Sequence, residues 1–489
     1  MRTSRGTNGV GFAISCVFSF AITYCSTATV VAQDSPATEL TAARALEDAF
    51  VRCIEKAEQS VVAIARGRRG AGRELQQPTF VPHEYCAGVV VGENGLLLTN
   101  YHSLGKVDEN DYVVWKQGKS FPAKVRAADP WSDLAILEIK DSGLKPIEFG
   151  DSAGLKKGRI FIALGNPHAI ARDGNVSATW GIVSNISRKI DGPLQGGVDA
   201  DTVDPRSRET LYHFGGLIQT DAKLAKGTSG GPMLDLDGKM IGLSTSIAVL
   251  AGFEKGTGYA IPVDARFRRV VEKLKRGEEI ENGFLGVAPR NPFRDRGEVG
   301  VVLDRVEQGT PAAMDGLSVN DEIVQIDDQQ VRTIDDLFFK VGSMPPGHTA
   351  QITVRSARRG FFDKKEVTLP VRLTKKPHTA SRPIIAKVQQ RYWRGVRVDY
   401  GTALSLKRIS TLDPEGCVIV TDVKKDSAAW RAGLRIGSVI SHVDDEGVTT
   451  PEQFYAAVAG AERDFGSEDA VSFTLFDRSG RIFIEVSPK

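Results

Sequence analysis

An internal repeat near the C-terminus restricts the possible folds of this 489-residue chain more than any other feature. Residues 309–341 align with residues 426–458 without a gap. Identical residues recur at one constant spacing: Ala312 with Ala429, Gly316 with Gly433, Leu317 with Leu434, Ile323 with Ile440, Asp328 with Asp445 and Val331 with Val448. Each copy predicts a short helix, a Gly-Leu turn, a strand, an Asp-containing turn and a second helix. The chain is therefore expected to end in two copies of one domain.

The N-terminal half follows a different pattern. From residue 60 to residue 262, short apolar segments are separated by Gly, Asn, Asp and Pro turns, and no long amphipathic helix interrupts them. That spacing predicts a β-sandwich or barrel rather than βαβ units. The segment "VDARFRRVVEKLKRGEE" then has the apolar spacing of a helix and closes this region. At about 150 residues per domain, the length fits roughly three domains.

The first residues indicate export from the cytoplasm. Two arginines precede an apolar segment from Val10 to Tyr24, which is followed by small residues up to Ala32. This three-part pattern predicts a secretory signal and hence a periplasmic or secreted protein. The apolar run is short for a membrane span, which favours cleavage over retention as an uncleaved anchor.

Charge and cysteine content exclude several classes of protein. A net charge of +2 with a pI near 8.2 indicates neither nucleic-acid binding nor attachment to an anionic membrane. Beyond the signal, Cys53, Cys86 and Cys417 have neither the spacing of a zinc site nor the even number of a disulfide framework. A Cys53–Cys86 disulfide and buried free thiols both remain open.

Ser229 lies in "AKGTSGGPML", where three glycines remove side-chain bulk around it. A serine hydroxyl is a weak nucleophile, which needs a base and preorganised donors for the oxyanion that forms. We predict an oxyanion hole at Gly227, Thr228 and Ser229, with the N–H groups of Gly227 and Ser229 as its donors. Gly-Ser-Gly runs also form ordinary turns, so this segment alone is moderate evidence for catalysis.

A histidine and a carboxylate partner are expected in the same β region. His102 follows the apolar segment "GLLLTN", and Asp133 precedes the apolar segment "LAILEI". Taken singly, a loop histidine without a role and a turn aspartate are the more common interpretations. With Ser229 they occur in the order His, Asp, Ser, which matches chymotrypsin-like proteases and differs from subtilisin and the α/β-hydrolases. The three signals thus agree with one another and with the β pattern.

The segments that contain these residues resemble the HtrA (Deg) family of serine proteases. They are "GLLLTNYHSL", "DPWSDLAILEI" and "QTDAKLAKGTSGGPML", and "ALGNP", "TWGIVSNISR" and "GYAIPV" resemble further blocks of that family. The resemblance implies a mainly β fold, with a chymotrypsin-like double β-barrel protease domain followed by two α+β PDZ domains. It also implies His102 as the base, Asp133 as the orienting carboxylate and Ser229 as the nucleophile.

The patterns and the resemblance together predict the domain boundaries. We expect the signal at residues 1–32, a helical segment at 33–59, the protease domain at 60–265, the first PDZ domain at 281–376, a linker at 377–390 and a divergent second PDZ domain at 391–489. The linker prediction depends on the basic, Pro-containing segment "TKKPHTASRPIIAKVQQ".

Two departures from the family pattern lie beside the predicted site. Tyr101 stands where the family usually has Asn, and Lys226 belongs to an Ala-Lys-Gly-Thr segment where the family usually has Asn-Pro-Gly-Asn. Neither departure removes a catalytic atom, because the oxyanion donors are backbone N–H groups. Lys226 adds a positive charge, which can alter substrate preference or the conformation of the loop.

The resemblance places the primary specificity pocket at Leu224, Thr245, Ser246 and Ile247. These residues are apolar or small and provide no acidic floor. We therefore expect cleavage after small or medium aliphatic residues such as Val, Ala or Leu. The alternative is that Leu224 belongs to the core, as most leucines do.

A PDZ domain binds an extended C-terminal peptide as an added strand and receives its carboxylate in a loop of backbone N–H groups. In the first copy, "GFLGVAP" resembles that loop and predicts peptide binding by Phe284, Leu285, Gly286 and Val287, with an ordinary strand start as the alternative. In the second copy the corresponding residues, 393–396, fit the family pattern less well because they include Trp and Arg. Peptide binding there stays open, with packing against other parts of the protein as the alternative.

The expected activity is that of a serine endopeptidase acting on misfolded or damaged proteins, and this substrate class is implied by the resemblance only. We expect no cofactor and no metal, because motifs of the HExxH and EF-hand types are absent. The resemblance also implies a homotrimer or a larger assembly. The alternative from another class is a non-enzymatic PDZ scaffold or chaperone on a protease fold.

Overall fold

The structure, a computed structural model, describes residues 36–80, 82, 84–140, 143–166, 175–189, 210–245, 257–290, 300–356, 366–377, 383–387, 391–403, 416–465, 469–477 and 480–488. The predicted signal at residues 1–32 lies outside these ranges. The first described helix, α1 (Pro36–Glu58), crosses from one unit of the chain into a second, compact unit that begins at Ala49 and contains all the domains described below. Among the described helices, none combines the length and the apolar character needed to cross a bilayer.

Six antiparallel strands form a first closed barrel. They are β1 (Val61–Arg68), β2 (Glu84–Gly92), β3 (Leu96–Asn100), β4 (Asn110–Lys116), β5 (Lys119–Asp129) and β6 (Leu134–Ile139), with the short helix α2 (Gly72–Leu75) between β1 and β2. They close in the order β1-β2-β3-β6-β5-β4. One set of side chains, including Val62, Val90 and Leu97, fills the interior of this barrel. The next residues along the same strands, such as Val61, Val89 and Leu98, face a second core that is shared with the rest of the protease region.

A second closed barrel follows. Its strands are β7 (Ile160–Gly165), β8 (Ser177–Arg188), β9 (Leu217–Thr220), β10 (Pro232–Leu234), β11 (Met240–Thr245) and β12 (Gly258–Pro262), in the order β10-β11-β12-β9-β8-β7. Ile162, Leu217 and Leu243 pack into the shared core from this side. The expected double barrel is confirmed, and the segments between strands at the junction of the barrels carry the candidate site.

Helix α3 (Ala265–Arg276) follows the second barrel, and residues at each end of the helix determine where it begins and ends. The Asp264 carboxylate accepts a hydrogen bond from the N–H of Phe267 (2.7 Å) at the N-terminus, and Gly277 ends the helix in the left-handed conformation (φ 80°). The buried face of the helix, which includes Phe267 and Leu274, packs into the shared core. The helix thereby ties both barrels together on one side.

The two repeat copies form two domains that share one order of elements, to which the first adds β13 and β20. The first repeat domain contains β13 (Gly283–Phe284), β14 (Val287–Pro289), β15 (Val301–Val306), α4 (Pro311–Met314), β16 (Glu322–Ile326), β17 (Gln329–Gln330), α5 (Ile334–Ser343), β18 (Thr349–Arg355), β19 (Glu366–Arg372) and β20 (Thr374–Lys375). The second repeat domain contains β21 (Val396–Tyr400), β22 (Val418–Val423), α6 (Ala428–Arg431), β23 (Val439–Val443), β24 (Glu446–Gly447), α7 (Pro451–Phe465), β25 (Val471–Asp477) and β26 (Gly480–Val486). The main sheets run β14-β15-β16-β18-β19 and β21-β22-β23-β25-β26, so β14 and β21 are edge strands.

Helix α5 of the first repeat domain packs directly against the first barrel and against the segment between β8 and β9 of the second barrel. Phe338 stacks on Phe214, with ring centroids 5.2 Å apart and planes 23° apart. The indole N–H of Trp131 donates to the backbone oxygen of Gly342 (3.1 Å). Trp131 is only two residues from Asp133, so helix α5 contacts the segment that contains the predicted carboxylate.

A buried lysine joins the two repeat domains. Lys375 is 1% exposed, and its Nζ lies 2.6 Å from a carboxylate oxygen of Asp399 in the second repeat domain. Its other partners, Glu279 at 2.6 Å and Glu281 at 3.3 Å, precede the first repeat domain. Although burial opposes its charge, these three carboxylates raise the pKa of Lys375 above its usual value. The junction therefore holds a permanent cation inside a cluster of carboxylates.

Part of the predicted linker packs on the first barrel. Ile385 exchanges two backbone hydrogen bonds with Ala128 of β5, at 2.8 and 2.9 Å, and its side chain packs against the interior cluster. The Tyr101 hydroxyl donates to the backbone oxygen of Pro383 (3.1 Å). No pattern in the sequence predicts this docking. The contact with Pro383 gives a structural role to Tyr101, one of the two departures from the family pattern.

Candidate active site

The loop that carries Ser229 connects β9 to β10, and it can adopt its conformation only with glycine at key positions. Gly227 has φ +100°, and a Cβ there would overlap the backbone oxygen of Asn166 and lie 2.7 Å from Cε2 of Tyr85. Gly230 has φ +83°, and a Cβ there would overlap the backbone oxygen of Ala87. The glycines noted in the sequence are therefore required by close approach of the backbone as well as by its conformation.

Backbone hydrogen bonds hold the same loop between the two barrels. The N–H of Ala87 in β2 donates to the carbonyl oxygen of Ser229 (2.8 Å), and the N–H of Gly230 donates to the carbonyl oxygen of Ser244 in β11 (2.9 Å). The side chain of Ser229 is thus fixed at the junction, in a residue that is 4% exposed. This placement is what a nucleophile in a cleft between barrels requires.

Thr228 lies between the two predicted oxyanion donors, Gly227 and Ser229. Its N–H donates to the backbone oxygen of Ala225 (3.1 Å), and its hydroxyl donates to the same oxygen (2.7 Å). The N–H of Thr228 is therefore engaged within the loop and does not point to a substrate oxygen. Gly227 and Ser229 stay as the predicted donors.

The structure brings His102 and Asp133 into direct contact. His102 lies in a short 3-10 helix, Tyr101–Leu104, directly after β3, and Asp133 lies in the turn between β5 and β6. The Nδ1 atom of His102 is 2.8 Å from Oδ2 and 3.1 Å from Oδ1 of Asp133. The Asp133 side chain is fully buried, whereas that of His102 is 10% exposed. A buried carboxylate at this distance fixes the ring orientation and favours a proton on Nδ1, which leaves Nε2 as the basic nitrogen.

Further donors surround the Asp133 carboxylate. The backbone N–H of His102 donates to Oδ1 (2.9 Å), the Asn100 side-chain amide donates to Oδ2 (3.3 Å), and the Thr245 hydroxyl donates to Oδ2 (3.4 Å). Hydrogen bonds to the ionised form offset the cost of burying a carboxylate. The sequence analysis missed Asn100, although its position two residues before His102 at a strand end was a usable signal.

The predicted specificity pocket is only partly described. Thr245 is 3% exposed and directs its hydroxyl to Asp133, so it supports the carboxylate from the second barrel, a role not predicted for it. Leu224 is half-buried and packs against the interior cluster of the second barrel. Ser246 and Ile247 lie outside the described residues.

The segment "DPWSD" contains two aspartates, and the structure separates their roles. Asp129 is fully buried and accepts hydrogen bonds from the N–H groups of Ser132 (2.8 Å) and Trp131 (3.4 Å). Burial raises its pKa, and hydrogen bonds and Arg266 oppose that rise. Asp129 therefore stabilises the turn that places Asp133 next to His102. Asp133 itself has φ +54°. Aspartate tolerates this left-handed conformation better than most residues.

The predicted peptide loops of both repeat domains share one backbone geometry. The Leu285 carbonyl accepts from Ala312 N–H (3.0 Å), and the Arg394 carbonyl accepts from Ala429 N–H (3.1 Å). The glycine that follows has φ +89° in the first domain and +91° in the second. The two loops are therefore equivalent in the backbone.

Their side chains differ. Leu285 and Val287 are buried in the core of the first repeat domain, and Phe284 packs against the second repeat domain at a cluster that includes Cys417. In the second domain the guanidinium of Arg394 replaces the leucine and donates to the backbone oxygens of Asp469 (2.7 Å) and Val486 (2.6 Å). The second loop thus carries a half-buried, hydrogen-bonded cation where the first loop has a buried leucine.

The described residues include three cysteines and no metal-binding cluster. Cys53, Cys86 and Cys417 are buried free thiols, so the alternative of a Cys53–Cys86 disulfide is wrong. Burial raises the pKa of the Cys53 thiol to about 11, with a further contribution from Asp235. Among the described ranges, no group of three or more His, Cys, Asp or Glu side chains is placed to hold a metal ion.

Two six-stranded barrels with a serine, a histidine and a buried aspartate at their junction define a trypsin-like serine protease. A model of the trypsin-like peptidase domain matches residues 86–243, which include all three residues, and models of the PDZ domain match residues 283–373 and 419–464. These matches confirm the expected fold class.

Individual relatives and structures agree with these domain matches. A probable periplasmic serine endoprotease, DegP-like, from Brucella suis biovar 1 (strain 1330) is 30% identical over 406 residues, which cover 81% of this chain and 72% of that protein. A protein of the same description from Pseudomonas fulva (strain 12-X) is 28% identical over 406 residues, covering 81% and 77%. The solved structure of the HtrA-type protease AlgW with decapeptide has a TM-score of 0.50 and 24% identity, covers 68% of this chain and 99% of that chain, and supports the fold. The chain belongs to the DegP-like (HtrA) family of serine endoproteases.

Proposed function

We propose that this protein is an exported serine endopeptidase in which His102, Asp133 and Ser229 perform the chemistry. The observation that carries the proposal is the 2.8 Å contact between His102 Nδ1 and a fully buried Asp133 carboxylate, placed at the same barrel junction as Ser229. A non-enzymatic scaffold does not require a carboxylate to be buried against an imidazole at that position. The family assignment also favours the enzyme over the scaffold.

The reaction is acyl transfer. His102 Nε2 takes the proton from the Ser229 hydroxyl as its oxygen attacks the peptide carbonyl, and the N–H groups of Gly227 and Ser229 hold the oxyanion. The same imidazole then protonates the leaving amine, and water hydrolyses the acyl-enzyme by the reverse sequence of proton transfers. Asp133 stabilises the imidazolium that exists between these transfers and keeps the ring in one orientation.

Misfolded or damaged proteins are the proposed substrates, and C-terminal peptides are the proposed ligands of the first PDZ domain. The edge position of β14, next to the loop of Phe284, Leu285, Gly286 and Val287, supports peptide binding by strand addition. The solved structure of AlgW, which shares this fold, contains a decapeptide. Cleavage is proposed to follow small or medium aliphatic residues, with Leu224 at the pocket.

Location and assembly are proposals as well. The relatives are named as periplasmic proteins, and the N-terminal sequence has the pattern of an export signal. We place the mature chain in the periplasm or outside the cell, with the signal either cleaved or retained as an anchor. A homotrimer or larger homo-oligomer is proposed from the family resemblance.

A fluorophosphonate probe tests the catalytic assignment, because it reacts covalently with an activated serine. We expect the probe to label the wild-type chain at Ser229, and Ser229→Ala and His102→Ala to abolish labelling. Ser120→Ala, on β5, is a matched control that should be labelled normally. Unfolded casein should be cleaved by the same variants that are labelled. Labelling that persists in Ser229→Ala, or casein cleavage by that variant, would contradict the assignment.

A further inference from the structure

Lys226 directly precedes Gly227 in the loop that carries Ser229, and neighbouring residues define the position of its side chain. Gly227 accepts a hydrogen bond from the N–H of Asn166 (3.2 Å) and is packed against the ring of Tyr85. The Nζ atom of Lys226 lies 5.3 Å from the centroid of the same ring. The lysine side chain therefore leaves the loop over Tyr85, beside the predicted oxyanion donor.

The positions of β2 and β11 indicate which side of the cleft Lys226 faces. Backbone hydrogen bonds join the Ser229 loop to β2 at the Ser229 carbonyl and to β11 at the Gly230 N–H, so these two strands flank the cleft at Ser229. The proposed pocket for the residue before the scissile bond belongs to the second barrel, with Leu224. The residues after the scissile bond therefore lie toward the start of β2, where Glu84 and Tyr85 stand.

The charge at this position is positive and accessible. The Lys226 ammonium is 3.8 Å from a carboxylate oxygen of Glu84, with side chains 58% and 52% exposed. Glu84 is also 3.5 Å from a guanidinium nitrogen of Arg66. Lys226 and Arg66 thus share the Glu84 carboxylate as a partner. A pair this exposed is weak, so a substrate carboxylate can replace Glu84 as the partner of Lys226.

We propose that Lys226 is a specificity-determining residue that selects substrates with an aspartate or glutamate within two residues after the scissile bond. The inference depends on the proposed function, because it uses Ser229 as the nucleophile and Leu224 as part of the pocket. It adds a substrate class to that function: peptides with an aliphatic residue before the bond and an acidic residue after it.

Three quenched fluorescent peptides test the proposal. They are identical except for Glu, Gln or Lys at the second position after an aliphatic cleavage site. The readout is the ratio of kcat/KM between two peptides on one enzyme, which is independent of the amount of active protein. The wild-type chain should prefer Glu over Gln by about threefold to tenfold at low salt, and the preference should shrink as ionic strength rises.

Variants of Lys226 separate its charge from its bulk. Lys226→Met keeps the apolar stem over Tyr85 and should bring the Glu/Gln ratio to about one, and Lys226→Glu should favour the Lys peptide. Lys119→Met removes an exposed lysine from the start of β5 and should keep the wild-type ratio. Equal rates for Glu and Gln peptides in the wild type, or a preference that survives Lys226→Met, would overturn the proposal. If the fluorophosphonate probe does not label Ser229 in the wild type, the proposed nucleophile is wrong instead. Failure of the specificity proposal and failure of the proposed function are therefore distinguishable.

Discussion

A single methyl group added at Gly227 is expected to disable the oxyanion hole and leave the fold in place. The Cβ of Gly227→Ala would lie 2.7 and 2.8 Å from two carbons of the Tyr85 ring and would overlap the backbone oxygen of Asn166. Carbon atoms pack at about 3.5–4.0 Å, so the loop must move by about 1 Å. The carbonyl oxygen cannot move away as a flexible side chain would, because it belongs to the backbone next to β7.

The expected size of the effect follows from the loss of one donor. Removal of one oxyanion donor typically lowers kcat by about 10²–10³, which corresponds to about 3–4 kcal/mol of transition-state stabilisation. The decrease should appear in kcat and equally in kcat/KM, because the interaction exists mainly in the transition state. Cleavage of a quenched fluorescent peptide under saturating and limiting conditions measures both parameters.

A matched control separates the clash from the backbone conformation. Gly158 also has a positive φ, +86°, but a Cβ there would meet nothing within 4 Å. Gly158→Ala should cost a similar backbone strain of about 1–2 kcal/mol in stability without a loss of activity. The reasoning fails if Gly227→Ala keeps kcat within threefold of the wild type, or if Gly158→Ala loses as much activity as Gly227→Ala.

Three further predictions concern charges. Asp133→Asn places an amide where N–H donors converge and should lower kcat about 10⁴-fold with the fold intact, and a decrease below tenfold would contradict the role of the carboxylate. Lys375→Met leaves three carboxylates around a buried site and should lower the unfolding free energy of the repeat domains by about 3–5 kcal/mol. The control Lys425→Met, at an exposed lysine, should leave that free energy unchanged, and urea unfolding measures both variants. Burial lowers the pKa of Lys376 from 10.5 to about 8, so between these pH values the unfolded chain binds more protons and stability should rise with pH. Lys376→Met should lose that part of the pH slope, and an unchanged slope in urea unfolding from pH 7 to 10 would contradict it.

The parts of the site that are local in sequence could be predicted. His102, Asp133 and Ser229 each lie in a short segment with its own pattern, at a strand end, in an Asp-containing turn and in a glycine-rich loop. The repeat, and a β-sandwich or barrel in the N-terminal half, followed in the same way from spacing along the chain, whereas the double barrel was implied by the resemblance to the HtrA family. Such features depend on neighbours a few residues away, which the sequence displays directly.

Contacts between distant segments could not be predicted in this way. The Thr245 hydroxyl reaches Asp133 from the other barrel, and Ile385 adds to the edge of a strand more than two hundred residues earlier. Phe338 has the spacing of an ordinary core residue of a helix, and only the docked structure shows that it faces Phe214. Each of these contacts depends on how separate surfaces fit, and no local pattern encodes that fit.

The aromatic contact between helix α5 and the protease limits how such a chain can be recombined in evolution. PDZ domains are often regarded as cassettes that can be exchanged among proteins. Here an exchange of the first PDZ domain would expose Trp131 and Phe214, which are 7% and 5% exposed in the native arrangement. A foreign domain would have to reproduce two ring surfaces and a hydrogen bond beside the turn that holds Asp133. The protease and its first PDZ domain should therefore be inherited together, as one unit of selection.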